Sequence, residues 1–158
     1  MTATAPQFWI DEATTDPKPW LRLNQPNLLP VFGRKLHSYQ LAQDYAAWWQ
    51  GYRFTLPAGL ITDGASVPWF AWSCGFLPDG LHRAGALVHD FLYALQGQSH
   101  DWLLSRKECD AVFLDLMLRA GVSLTRARIM HAAVRLCGWL PWSRAAGPVI
   151  EQPHYEIT

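Results

Sequence analysis

One histidine and two aspartates stand inside otherwise apolar runs of this chain, and these residue types move protons. His89 and Asp90 are adjacent in Ala86-Leu-Val-His-Asp-Phe-Leu-Tyr93, and Asp110 follows in Glu108-Cys-Asp-Ala-Val-Phe113. Imidazole titrates close to neutrality. It acts as a general base when a carboxylate holds one ring nitrogen and leaves the other as an acceptor. If both segments are helical, His89 and Tyr93 lie one turn apart on a shared face, while Asp90 is rotated from them by about a hundred degrees. Asp110 then faces His89 if the two helices pack antiparallel, and the set His89, Asp110 and Tyr93 is the candidate catalytic group. Asp90 looks toward the preceding loop, where its carboxylate suits a hard cation such as Ca2+. Asp63, in Thr62-Asp-Gly-Ala-Ser-Val-Pro68, sits where an apolar strand runs into a tight turn and can join Asp90 or His89 as a metal ligand. A second description fits the same residues: a buried His and Asp pair that only locks two helices together also demands hydrogen-bond partners.

Zinc is the less favoured metal. His82 and His89 are seven positions apart and share a helical face, but the rise of about 1.5 Å per residue separates them by about 10 Å, too far to ligate one ion. His82 is therefore assigned to the surface or to the helix entry. His37, His100, His131 and His154 have no evident partner in sequence and read as structural or exposed.

The elements that must position these groups change character along the chain. Residues 1 to 33 are rich in proline and polar residues and read as an extended arm, with one short strand near Trp20-Leu-Arg-Leu23. Lys35–Leu41, Asp44–Trp49, Tyr52–Leu56 and the stretch from Gly59 are short and aromatic or β-branched, as strands of a small antiparallel sheet are. Three helices follow. The first runs from near Asp79 to Leu95 and is ended by Gly97. The second opens on Ser105-Arg-Lys-Glu108, a reciprocal capping box, buries Cys109, Val112, Phe113, Leu116, Met117 and Ala120, and closes at Gly121. The third starts at Ser123 and runs through Ile129, Ala132, Ala133 and Leu136 to Gly138, after which Pro141 forbids continuation.

Composition narrows the function classes. The chain has 158 residues, half of them apolar, which suits one domain with a full core. Thirteen basic residues balance thirteen acidic ones, so the broad basic footprint of a nucleic-acid binder is missing. Three widely spaced cysteines make neither a disulfide framework nor a zinc cluster. No basic start precedes an apolar run at the N-terminus, and no stretch approaches the roughly twenty apolar residues of a membrane helix. Nine tryptophans fill a core in the simplest reading and otherwise mark a docking surface.

Two resemblances rest on these motifs. Thr62-Asp-Gly-Ala-Ser-Val-Pro68, His89-Asp-Phe-Leu-Tyr93 and Asp110-Ala-Val-Phe113, in that order, resemble the phage and prophage family called domain of unknown function 1353 over roughly residues 34 to 142. That likeness implies a viral or prophage origin and brings no activity. More locally, His89-Asp-Phe-Leu-Tyr93 with Asp110 is similar to the motif of secreted and parvoviral phospholipases A-two. The resemblance implies His89 as the base that activates water, Asp90 as a calcium ligand, Asp110 as the group that orients His89, and Tyr93 as its supporting hydrogen bond. Cys74-Gly75 through Pro78-Asp79-Gly80 stands where those enzymes carry a calcium loop, with fewer glycines.

The expectation is a single α+β domain: an arm over 1–33, a small antiparallel sheet and three helices over 34–142, and a tail over 143–158. Two functions are carried forward. One is a phage-encoded hydrolase acting on a lipid ester or another envelope component, metal-assisted or not. The other is a non-enzymatic virion or tail-assembly protein that docks on other phage subunits through its arm and its tryptophans. Either would act in the host cytoplasm during assembly or in the particle.

Overall fold

The computed structural model describes residues 26, 28–30, 39–62 and 80–150. Short strands β1 (Leu28–Pro30), β2 (Tyr39–Leu41) and β5 (Leu60–Thr62) join β6 (Val149–Ile150) in a four-stranded antiparallel sheet of order β1-β2-β5-β6. Leu28 pairs with Leu41, Tyr39 with Thr62 and Leu60 with Ile150. β3 (Tyr45–Trp49) and β4 (Tyr52–Leu56) make a separate hairpin. Gln50 and Gly51 both take positive φ, 46° and 86°, which matches the right-handed twist of the strands across a two-residue turn. Tyr45 and Ala47 pair with Leu56 and Phe54, and these four are buried, so the hairpin turns one apolar face inward with the period of two that a half-buried strand requires. The expected single sheet is thus two. The suggested strand at Trp20–Leu23 and residues 35–38 of the second one lie outside the described residues.

Among the described residues four helices follow, α1 (Arg83–Ala94), α2 (Arg106–Arg119), α3 (Leu124–Cys137) and the short α4 (Trp139–Ser143). The fold is α+β. α1 begins at Arg83, after a turn in which the Arg83 amide bonds the Gly80 carbonyl at 3.0 Å. It ends where Gly97 adopts φ +70° against the Leu104 carbonyl, a position with no room for a Cβ. α2 starts on the expected capping box: Ser105 accepts from the Glu108 amide, and the Glu108 carboxylate accepts from the Ser105 amide at 2.7 Å. Gly85 lies against Met117 and Phe113, His89 against Phe113 and Asp110, and Tyr93 against Asp110. Rising numbers on α1 meet falling numbers on α2, so the pair is antiparallel.

α3 has the expected bounds. Its buried residues are Ala127 and Met130, with Val134 packed beside them, whereas Ile129 and Leu136 face solvent. Apolar residues occupy two opposite faces of this helix, and the one that meets Phe113 and Met117 of α2 is the one that starts at Ala127. Pro141 does stop α3, but it sits in the first turn of α4, where a missing amide hydrogen costs nothing. The core is built from Leu41, Phe54 and Leu56 of the strands with Val88, Leu92, Cys109, Val112 and Leu116 of α1 and α2. Trp102 is buried edge-on to Phe54, while Trp139 is exposed; Trp69 and Trp72 lie outside the described residues.

Candidate functional site

Asp110 is the centre of a polar cluster inside this core. It is completely buried, and a carboxylate in such a place must be paired. Four side chains from three helices do so. From α1, His89 Nε2 lies 2.9 Å from Oδ1, and the Tyr93 hydroxyl donates to the same oxygen at 2.6 Å. From α3, Arg135 donates to Oδ2 at 2.7 Å, and Arg106, one turn earlier on α2, approaches Oδ2 at 3.6 Å. Arg106 also donates to the Arg135 carbonyl at 3.2 Å and so ties the α3 C-terminus to the start of α2.

The electrostatics fix the protons. Burial pushes the Asp110 carboxyl up, but the hydrogen bonds from His89, Tyr93 and Arg135 outweigh it and hold the group below the usual carboxylate range. An ionised Asp110 can only accept, so Nε2 of His89 carries a proton and donates it to Oδ1. Tyr93 is pushed well above its ordinary value, first by burial and then by the Asp110 carboxylate, and remains a donor. The His89 ring lies against Tyr93 and Phe113, with centroids 4.1 Å and 4.9 Å away. Its side chain is 8 % exposed, so the imidazole is nearly enclosed. Cys109, next to Asp110 but buried, is pushed up to about 12 and is no nucleophile at neutral pH.

Tyr93 is itself clamped. Trp142 of α4 meets its ring edge-on at 5.1 Å, and Gln96 donates to the Trp142 carbonyl at 2.9 Å. A Cβ at Gly138 would collide with the Tyr93 hydroxyl. Gly138→Ala is therefore expected to push the phenol off Asp110 and to cost about 2 kcal/mol as an overpacked core does, seen as a lower urea midpoint at unchanged m value.

Asp90 belongs to different surroundings. Its Oδ2 accepts from the Thr62 hydroxyl at 3.1 Å, at the end of β5. Asp63 and the Cys74–Asp79 segment lie outside the described residues. Among the described residues no group of three or more His, Cys, Asp or Glu side chains gathers as a metal site. His82 precedes α1 as expected of a helix-entry residue but is buried, not on the surface, because the turn at Gly80–His82 folds it inward. His100 is exposed and pairs with its neighbour Asp101 at 3.0 Å.

Three members of the cluster's surroundings escape sequence reading. Arg106 had a legible signal, since it stands four residues before Asp110 on a capped helix. Arg135 and His131 did not, because only the packing of α3 on α2 brings them in. His131 lies one turn before Arg135. Burial holds its imidazole below the ordinary value, against the pull of Asp110 and with the push of Arg135 and His89.

The family described as "Protein of unknown function (DUF1353)" matches residues 39–134, well over half of the chain. The chain belongs to this family. The DUF1353 match takes in β2 through most of α3, and so contains His89, Tyr93, Arg106 and Asp110 but ends one residue before Arg135. No curated protein and no solved structure matches the chain. Among the described residues no helix is long and apolar enough to cross a membrane.

Proposed function

We propose that this chain is a phage-encoded hydrolase in which His89 is the general base, Asp110 orients it and Tyr93 supports Asp110. The observation that carries the reading is the pairing of His89 Nε2 with a buried, ionised Asp110 at 2.9 Å, which makes Nε2 the donor and Nδ1 the nitrogen that a base would use. His89 Nδ1 takes a proton from a water, and the hydroxide adds to the carbonyl carbon of an ester. The imidazolium formed is held by Asp110. Collapse of the tetrahedral adduct breaks the carbon–oxygen bond, and the leaving alkoxide takes the proton back from His89. A lipid ester or another envelope component is the substrate class, on the likeness of His89-Asp-Phe-Leu-Tyr93 and Asp110 to the phospholipase A-two motif.

A second reading has its own observation. Asp110 receives two arginines besides His89 and Tyr93, more neutralisation than an orienting group needs, and such a node would clamp α1, α2 and α3 in a non-enzymatic phage structural protein. Hydrolysis assays on emulsified phospholipids and soluble esters, with wild type and His89→Gln, separate the two. The hydrolase reading expects a wild-type rate that His89→Gln lowers by about two to four orders of magnitude. Equal rates in a folded variant, or no hydrolysis by wild type across envelope esters, would sink it in favour of the clamp.

A further inference from the structure

α3 presents three faces. Ala127, Met130 and Val134 turn to the core, and His131 and Arg135 turn to the Asp110 cluster. With about 100° of rotation per residue, Ile129, Ala132 and Leu136 fall opposite the core. These three form an apolar strip, with Leu136 76 % exposed, and Trp139 at 60 % and Leu140 follow it, exposed, in α4. Arg126 and Arg128, both exposed, lie on either edge of the strip, and Arg144 stands beyond its end. From Leu116 to Ile150 the chain has five arginines and no acidic residue, although the whole chain is neutral.

We propose that this face of α3 and α4 is a docking surface for an anionic lipid membrane. An exposed apolar strip edged by arginine and followed by an interfacial tryptophan is the pattern of a helix that lies in the headgroup region, its apolar side in the acyl boundary and its cations on lipid phosphates. A second copy of the chain is the weaker occupant, since a two-fold pairing of the strip would bring the flanking arginines of both copies together. The inference does not depend on hydrolysis. If both readings hold, a docked α3 carries the His89 cluster on the flank adjacent to the lipid.

Co-sedimentation of the full chain with vesicles of phosphatidylcholine, with or without added phosphatidylglycerol, tests it. Binding is expected only with phosphatidylglycerol, falling steeply as salt is raised. The pair Ile129→Glu and Leu136→Glu is expected to reduce it by at least about tenfold, and Arg126→Gln with Arg128→Gln by a smaller factor. All four positions are exposed, and unchanged thermal unfolding verifies that the variants fold; Leu136→Ser serves in place of the glutamate pair if that pair does not fold. Indifference to phosphatidylglycerol, wild-type binding by the folded variants, or a wild-type dimer that Leu136→Ser converts to monomer would each overturn the proposal.

Discussion

Asp110→Ala is expected to lower the stability of the protein by about 3 kcal/mol, which for a domain of this size is a fall in melting temperature of about 6 to 12 °C. The aspartate itself is fully buried, and its removal leaves the Nε2 proton of His89, the Tyr93 hydroxyl and two guanidinium groups facing a small cavity. Loss of one partner of a buried charge network costs about 3 to 5 kcal/mol. The lower figure applies because the Arg135 side chain is a third exposed and Arg106 nearly a quarter, so water takes over part of their solvation. The pH dependence has a definite sign. A carboxyl whose folded value is depressed contributes stability that is fully present above its unfolded value of about 3.9 and is lost as pH falls through the folded value. Wild type should lose this contribution below about pH 4, and Asp110→Ala, which lacks it, should show a flatter acid limb in urea titrations. An Asp110→Ala protein within about 0.5 kcal/mol of wild type would remove the cluster from the account of the fold.

How much of this was open to sequence reading follows from the range of each interaction. His89, Tyr93 and the start of α2 were legible because one-turn spacing and the Ser105-to-Glu108 capping box are local. The face of α3 was not. Ala127, Met130 and Val134 have the same helical period as Ile129, Ala132 and Leu136, and periodicity cannot choose between two apolar faces when the choice is made by Phe113 and Met117 of another helix. The strands β1 and β6 have three and two residues, too few to display an alternation, and they are defined by pairing with β2 and β5. Arg135 looked like an ordinary solvated arginine because its partner lies 25 residues away. The site was thus readable as the trio His89, Tyr93 and Asp110, but not as a node shared by three helices.

The sharpest expected effect on the proposed chemistry is that of Asp110→Asn. An asparagine fills the same volume but has one acceptor oxygen and one donor amide. With its oxygen toward His89 and Tyr93, the amide would confront Arg135, donor against donor, at a place where Oδ2 now accepts at 2.7 Å. The amide therefore turns, giving its oxygen to Arg135 and Arg106 and its N–H to His89 Nε2. That nitrogen must then be the acceptor, and the proton moves to Nδ1, where the base is needed. In the triad hydrolases this wrong-tautomer exchange costs about four orders of magnitude in kcat, and a loss of about a thousandfold or more is expected here with KM little changed, because nothing in contact with substrate has been altered. Tyr93→Phe separates orientation from packing: it removes one donor from Oδ1 and keeps the ring against His89 and Trp142, so kcat should fall by no more than about tenfold. Both are measured below the melting temperature of the weaker variant. A folded Asp110→Asn that hydrolyses at the wild-type rate would mean that Asp110 does not set the His89 tautomer, and the cluster would then be a clamp between helices and nothing more.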